Sequence, residues 1–316
     1  MFDYFGVALL AGLVLGSGFL TQRAGRAKRQ VVKWVGTPIA GLLTLVTGVL
    51  LCAVLFGYWQ LNRGYDNPVP ELTIAQTPER LERGERLGRM CSGCHAPDSA
   101  DAMIGRDFLG EDAPPVGTFY APNLTPRHLA EWSDGEIVRA IREGVHRSGR
   151  SLLIMPSSLW RNLSDEDVHA IVAYLRSLPA QGLATPANRL NAFGAAMSLM
   201  VPLSQAQPPI AQPVSSPARG PSAAYGAYVS SFTCAACHGS DLLGDPDVPS
   251  PPLVTIGLAW SEAEFIQFMR TGQRPDGTSV DGEVMPWSDL SWILAEDDEL
   301  RGVYAYLAEV AADYAR

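Results

Sequence analysis

Lysine stops early in this chain: Lys28 and Lys33 are its only two, and none follows. Of 24 basic and 33 acidic residues, five basic and one acidic fall in the first 60 positions, which leaves 19 against 32 for the remainder. So acidic a surface excludes a nucleic-acid partner, whose phosphates it would repel, and favours basic or neutral protein partners. Cysteine is also scarce. Cys52 stands alone in an apolar run, and the other four form two tight pairs, so the polar part has no spare thiol to act as an extra ligand or nucleophile. Long apolar runs are absent beyond Leu61, and that part reads as a water-soluble body of two domains plus connecting segments.

The apolar runs that do occur lie at the start. Gly36–Trp59 has 24 residues without a charge. As a helix it would reach about 36 Å, enough for a hydrocarbon core of roughly 30 Å. Tyr58 and Trp59 close it with side chains suited to the headgroup region. Phe5–Leu20 is shorter, at 16 residues, and needs help from the residues before it to span. The basic stretch Gln22–Lys33 lies between them, which predicts a cytoplasmic loop, two crossings and both ends outside. A cleaved signal peptide is the competing reading of the first run, but it lacks a basic leader and a clear small-residue cleavage site. Cys52 follows Leu51 inside the second run and reads as a small buried hydrophobe.

The rest of the chain repeats itself. Cys91-Ser92-Gly93-Cys94-His95 and Cys234-Ala235-Ala236-Cys237-His238 each follow a helix-like run. Each is succeeded by Trp-Ser with Glu three residues after the Ser (Trp132-Ser133, Trp260-Ser261), which predicts a helix opened by a capping box. Met155-Pro156 and Met285-Pro286 come next, and each copy closes with an acid-started apolar helix containing Tyr-Leu. Between the copies, Ala180–Pro202 is apolar but interrupted. Leu203–Ser222 is rich in Pro, Ser and Gln and should be extended and semi-rigid. The patch Leu190–Leu203 is expected to be a helix packed on one of the two domains, with docking on a partner or membrane as the alternative.

Cys-x-x-Cys-His is the spacing for covalent haem. Two thiols on one helical turn reach both vinyl groups, and the adjacent His meets the iron from the same side. A thioether on the opposite face completes the coordination and raises the reduction potential. A zinc site made from all four thiols is disfavoured because the pairs lie about 140 residues apart and each has its own His and Met-Pro. The sixth ligands are expected to be Met155 and Met285, where Pro stiffens the loop. Met90, Met103 and Met269 compete less well, and His146 is the rival for the first iron; His128 and His169 read as surface residues. Pro122 and Pro252 are candidates to offer a backbone carbonyl to Nδ1 of the proximal His.

At these residues the chain resembles the class I cytochrome c superfamily, twice over. The resemblance implies an all-α fold of two cytochrome c domains in tandem behind a two-helix transmembrane anchor. It would divide the chain into an anchor (1–61), a first haem domain (77–181), an apolar segment with linker (182–221) and a second haem domain (222–314). It implies two covalently bound haem c groups, with Cys91, Cys94, Cys234 and Cys237 as thioether anchors. His95 and His238 would be proximal ligands, Met155 and Met285 distal ligands, and Pro122 and Pro252 the carbonyl donors. The segments Pro122–Pro126, Arg142–Val145 and Leu163–Val168 are similar to cytochrome subunits that take electrons from periplasmic alcohol, gluconate or molybdenum-hydroxylase-type dehydrogenases.

The expected function is therefore electron transfer on the periplasmic side of a bacterial inner membrane. It would run between a dehydrogenase or respiratory complex and an oxidase or soluble carrier, without catalysis by the chain itself. The alternatives are the dihaem subunit of a cbb3-type oxidase, a dihaem redox enzyme, which would need an open or labile iron site, and an assembly subunit.

Overall fold

The computed structural model describes residues 4–97, 102–110, 115–245, 250–282 and 284–316. Its first two helices, α1 (Tyr4–Gly25) and α2 (Thr37–Asn62), are long and apolar enough to cross a membrane. The helix of α1 runs five residues past Leu20, so its 22 residues cover about 33 Å and remove the shortfall of the charge-free run. A π-helical stretch, Val32–Gly36, leads into α2. The pair is antiparallel and close: Gly25 meets Thr37, Gly41 meets Thr21, and the hydroxyls of Thr21 and Thr44 lie 3.3 Å apart.

The first half then builds α3 (Pro78–His95), α4 (Pro126–Leu129), α5 (Asp134–Glu143), α6 (Ser157–Trp160) and α7 (Asp165–Ser177). Thr77 caps α3, Ser133 and Glu136 close a capping box on α5, and Gly144 ends α5 in the left-handed conformation at φ 64°. Two antiparallel strand pairs of two residues each, Arg106–Asp107 with Tyr120–Ala121 and Gly117–Thr118 with Arg189–Leu190, tie down the loops. A short helix, α8 (Ala192–Met197), follows. The second half repeats the order with α9 (Ala223–Ser230), α10 (Ala235–His238), α11 (Val254–Ala259), α12 (Glu262–Thr271), α13 (Trp287–Ile293) and α14 (Asp297–Tyr314). Ser261 and Glu264 form its capping box, and Gly272 its left-handed stop at φ 69°.

Each half is held by a crossing of its first and last helices at small residues. A Cβ on Gly84 would lie 2.0 Å from the Ala170 carbonyl oxygen, so α3 and α7 touch backbone to backbone. The same contact recurs between α9 and α14, where a Cβ on Gly226 would stand 1.9 Å from the Gly302 oxygen. One apolar core runs through both halves, from Leu87, Ile171 and Val172 to Tyr225, Phe265 and Leu307.

The halves also share a buried polar cluster. Arg83 donates to both carboxylate oxygens of Asp167 (2.8 and 2.9 Å) and faces Glu299 at 3.7 Å. The Tyr225 hydroxyl donates to Glu299 (2.6 Å), and the Tyr228 hydroxyl donates to Asp167 (2.6 Å). Asp167 and Glu299 hold matching places in α7 and α14, three residues before Ala170 and Gly302. Arg83 and Tyr225 likewise precede Gly84 and Gly226, so the cluster joins equivalent positions of the two copies.

The linker is extended, as expected, but it is not free. Gln205 and Gln207 donate backbone N–H groups to Leu152 and Glu143, and Asp165 and Val214 are bonded to one another, strapping it across the first half.

Candidate haem sites

α3 carries the first cysteine pair on its last turn. Cys91 is buried and Cys94 exposed. Burial, and then the neighbouring Cys94, pushes the Cys91 thiol up to about 12, and burial raises Cys94 and Cys234 as well. The burial of Cys91 and Cys234 suits a sulfur held as a thioether against the apolar core. Among the described residues, no three His, Cys, Asp or Glu side chains converge as a metal cluster, so the two pairs stay apart.

His95 is buried, and its Nδ1 lies 2.7 Å from the Pro122 carbonyl oxygen. A carbonyl can only accept, so Nδ1 carries the proton and Nε2 keeps the lone pair that a metal needs. Burial holds the His95 pKa below the ordinary imidazole value, against the opposite pull of the Pro122 bond. The ring is thus neutral, oriented and basic at Nε2. The second copy does the same with a different residue: His238 Nδ1 lies 2.7 Å from the carbonyl oxygen of Pro251. This corrects the expectation for Pro252, whose carbonyl instead accepts from the Thr255 hydroxyl at 2.8 Å. The register is set by the Leu of each loop. Leu124 donates to Met103 and Leu253 to Leu242, both at 2.8 Å, and the carbonyl that holds the His lies two residues before that Leu.

Met155 and Met285 sit in identical turns. Ser157 N–H donates to the Met155 carbonyl and Trp287 N–H to the Met285 carbonyl, both at 2.7 Å across the intervening proline. Pro156 has φ −79° and ψ 59°, and Pro286 φ −77° and ψ 59°, the inverse γ-turn. Both methionines are half-buried against the core. Ile154, just before Met155, is held at φ 66°, a strained conformation for a β-branched residue, fixed by its N–H bond to the Leu203 carbonyl at 2.9 Å. Met103 and Met269 are core residues, and Met90 packs at the core edge. His146 accepts the Ser148 N–H on Nδ1 (3.0 Å) and stands edge-on to Trp132, 4.8 Å between ring centres. Burial first, and then the neighbouring Arg150, His128, Arg147 and Arg139, push its pKa down to about 4.

The cytochrome c family profile matches residues 81–179, from the first turn of α3 to just past the end of α7. These residues are a cytochrome c domain.

Similar proteins extend beyond that cytochrome c domain. A nicotinate dehydrogenase subunit of Pseudomonas putida is 29% identical over 315 residues, covering 89% of this chain and 25% of that protein. The gluconate 2-dehydrogenase cytochrome c subunit of Pantoea cypripedii is 28% identical over 277 residues, 73% of this chain and 60% of the relative. A diheme cytochrome c-type protein of Cereibacter sphaeroides is 33% identical over 135 residues, 40% and 44% of the two chains. The chain therefore spans a quarter and three-fifths of the lengths of the first two relatives.

A cytochrome c domain implies covalently bound haem c. The residues of this one fit that group: two un-ionised thiols on one turn, a His with Nε2 available, and a thioether on a stiffened turn. Sequence reasoning missed the groups that frame it. The fully buried Asn123 side chain donates to the carbonyls of Gln181 and Leu183 and accepts the Thr125 N–H, fixing the loop that presents the Pro122 carbonyl. Gly105 (φ 83°) and Gly244 (φ 94°) donate to the carbonyls of His95 and His238. The glycine after each motif was visible in the sequence, but its spacing differs between copies, ten residues against six, which hides the equivalence.

Proposed function

We propose that this chain is a dihaem electron-transfer subunit, anchored in the inner membrane of a bacterium with its haem domains on the periplasmic side. In this reading Cys91 and Cys94, and Cys234 and Cys237, hold two haem c groups as thioethers. His95 and His238 are the proximal ligands, Met155 and Met285 the distal ones, and residues 222–314 are a second domain of the first one's kind. Haem iron supplies one-electron exchange between its ferric and ferrous states. The chain's own residues fix the ligands. The Pro122 and Pro251 carbonyls orient the imidazoles, and the two inverse γ-turns present the thioethers.

The observation that carries this reading is the repetition of that arrangement in both halves, down to the Nδ1–carbonyl distance and the proline torsions. With a His and a Met available to each iron, the centres would be suited to exchange of electrons rather than turnover of a bound substrate. The relatives named as dehydrogenase cytochrome subunits support a dehydrogenase as donor, with an oxidase or soluble carrier downstream. The acidic surface supports docking of basic partners, which should weaken as salt rises.

The test is purification in mild detergent from the native membrane, with a pyridine haemochrome assay and mass spectrometry of copurifying proteins. Two c-type haems per chain and a copurifying dehydrogenase are the expected result. One haem would remove the second centre from the reading, and a copurifying copper-haem oxidase would replace the dehydrogenase with the cbb3-type assignment.

A further inference from the structure

The segment between the two halves packs on the first half, through the Gly117–Thr118 strand and the Leu203–Ile154 bond, and it also docks on α2. A Cβ on Gly57 of α2 would stand 1.9 Å from the Ala195 carbonyl oxygen of α8, and the Tyr58 hydroxyl donates to the Leu190 carbonyl at 3.1 Å. Val54, Tyr58 and Leu61 join Leu190, Ala195 and Phe119 in an apolar cluster of their own. This contact falls at a definite level of α2. Counted outward from the last basic residue, Lys33, a hydrocarbon core of about 20 helical residues ends near Val54. Gly57 lies three residues further, at the headgroup level, where Phe56 and Trp59 are exposed and stacked at 5.4 Å.

The side of the segment turned away from α2 is apolar and open. Gly194, Ala195 and Ser198 are buried, whereas Phe193 (53%), Leu199 (40%), Met200 (86%) and Val201 (47%) are exposed. No charged residue occurs from Leu190 to Ala218 in a chain otherwise dense in acids. Taking α2 to span the membrane, as proposed above, we infer that Phe193–Val201 is an interfacial segment inserted into the outer leaflet. There it adds a second lipid contact that pins the first half against the bilayer. Apolar side chains with no charge beside them gain by entering the headgroup–acyl boundary, and the close Gly57–Ala195 contact holds them at that depth. The segment would thereby fix the height of the first haem domain above the membrane.

The test uses the haem-loaded full chain in phosphatidylcholine nanodiscs, with Cys52→Ser as background and a sulfonated, water-soluble maleimide as probe. Three positions are compared by mass spectrometry: Met200→Cys, Val46→Cys in the middle of α2, and Tyr314→Cys, exposed near the end of α14. Modification needs both the aqueous reagent and the thiolate, so positions 200 and 46 are expected to react at least about tenfold more slowly than position 314. Equal rates at 200 and 314 with position 46 protected would overturn the inference and leave the anchor standing. If 46 also reacts as fast as 314, the anchor fails and the inference with it. Phe193→Cys repeats the measurement should Met200→Cys lose its haem spectrum.

Discussion

His146 and the two methionines divide the chemistry between them at the scale of single residues. His146 is kept neutral by burial and by Arg150, His128, Arg147 and Arg139, with a pKa near 4. An unfolded chain would protonate this ring at about 6.5, so stability is lost as pH falls from that value toward 4 and is unaffected above it. His146→Asn is therefore expected to flatten the fall in Tm between about pH 6.5 and 4, with an unchanged haem spectrum. Loss of a ligand band in that variant would restore His146 as the sixth ligand. Met155→Ala and Met285→Ala should each remove half of the sulfur-to-iron charge-transfer band in the ferric spectrum and lower the potential of one centre, the double variant removing the whole band. A full band in either single variant would show that another residue closes that site.

At the scale of elements, the fold depends on close crossings. Gly84 lets α3 lie on α7, and any side chain there meets the Ala170 carbonyl. Gly84→Ala is expected to cost about 1–3 kcal/mol through overpacking, a fall of several degrees in Tm read by thermal denaturation. An unshifted Tm would mean that the helices separate without penalty. The element order was legible in the sequence because capping residues and helical runs are local signals. Ser133 with Glu136 and Ser261 with Glu264 announced their helices, and both boxes are present. Register in a loop is different. Pro251 and Pro252 are adjacent prolines, and long-range bonds such as Leu253 to Leu242 and Ser250 to Cys237 select which carbonyl reaches His238.

For the whole molecule, the buried cluster of Arg83, Asp167, Glu299, Tyr225 and Tyr228 decides how the halves sit. Burial opposes the Arg83 charge, but Asp167 foremost, with Tyr225 and Glu299, holds its pKa above the ordinary value. Arg83→Met would leave the buried Asp167 without its cation and Glu299 with Arg219 at 3.8 Å, at a cost of about 3–5 kcal/mol. The expected readouts are a lower Tm and separation of one thermal transition into two as the halves uncouple. A single transition at an unchanged Tm would mean that apolar contacts alone join them. Asn162, which donates to the Ser231 carbonyl at 3.2 Å, and Arg89, stacked 4.2 Å over the Trp292 ring, are further contacts between the halves.

The sequence by itself determined the haem-type spacing, the repeat, the Met-Pro pair and the two membrane-length helices, because each is written in consecutive residues or in a period of the chain. Only the tertiary structure decided the Pro251 carbonyl, the strapping of the linker, the joining of the halves through Arg83 and the seat of α8 on α2. These rest on groups brought together from distant parts of the chain, or on a choice between neighbouring carbonyls. No local pattern encodes such pairings, and packing of the whole chain selects them.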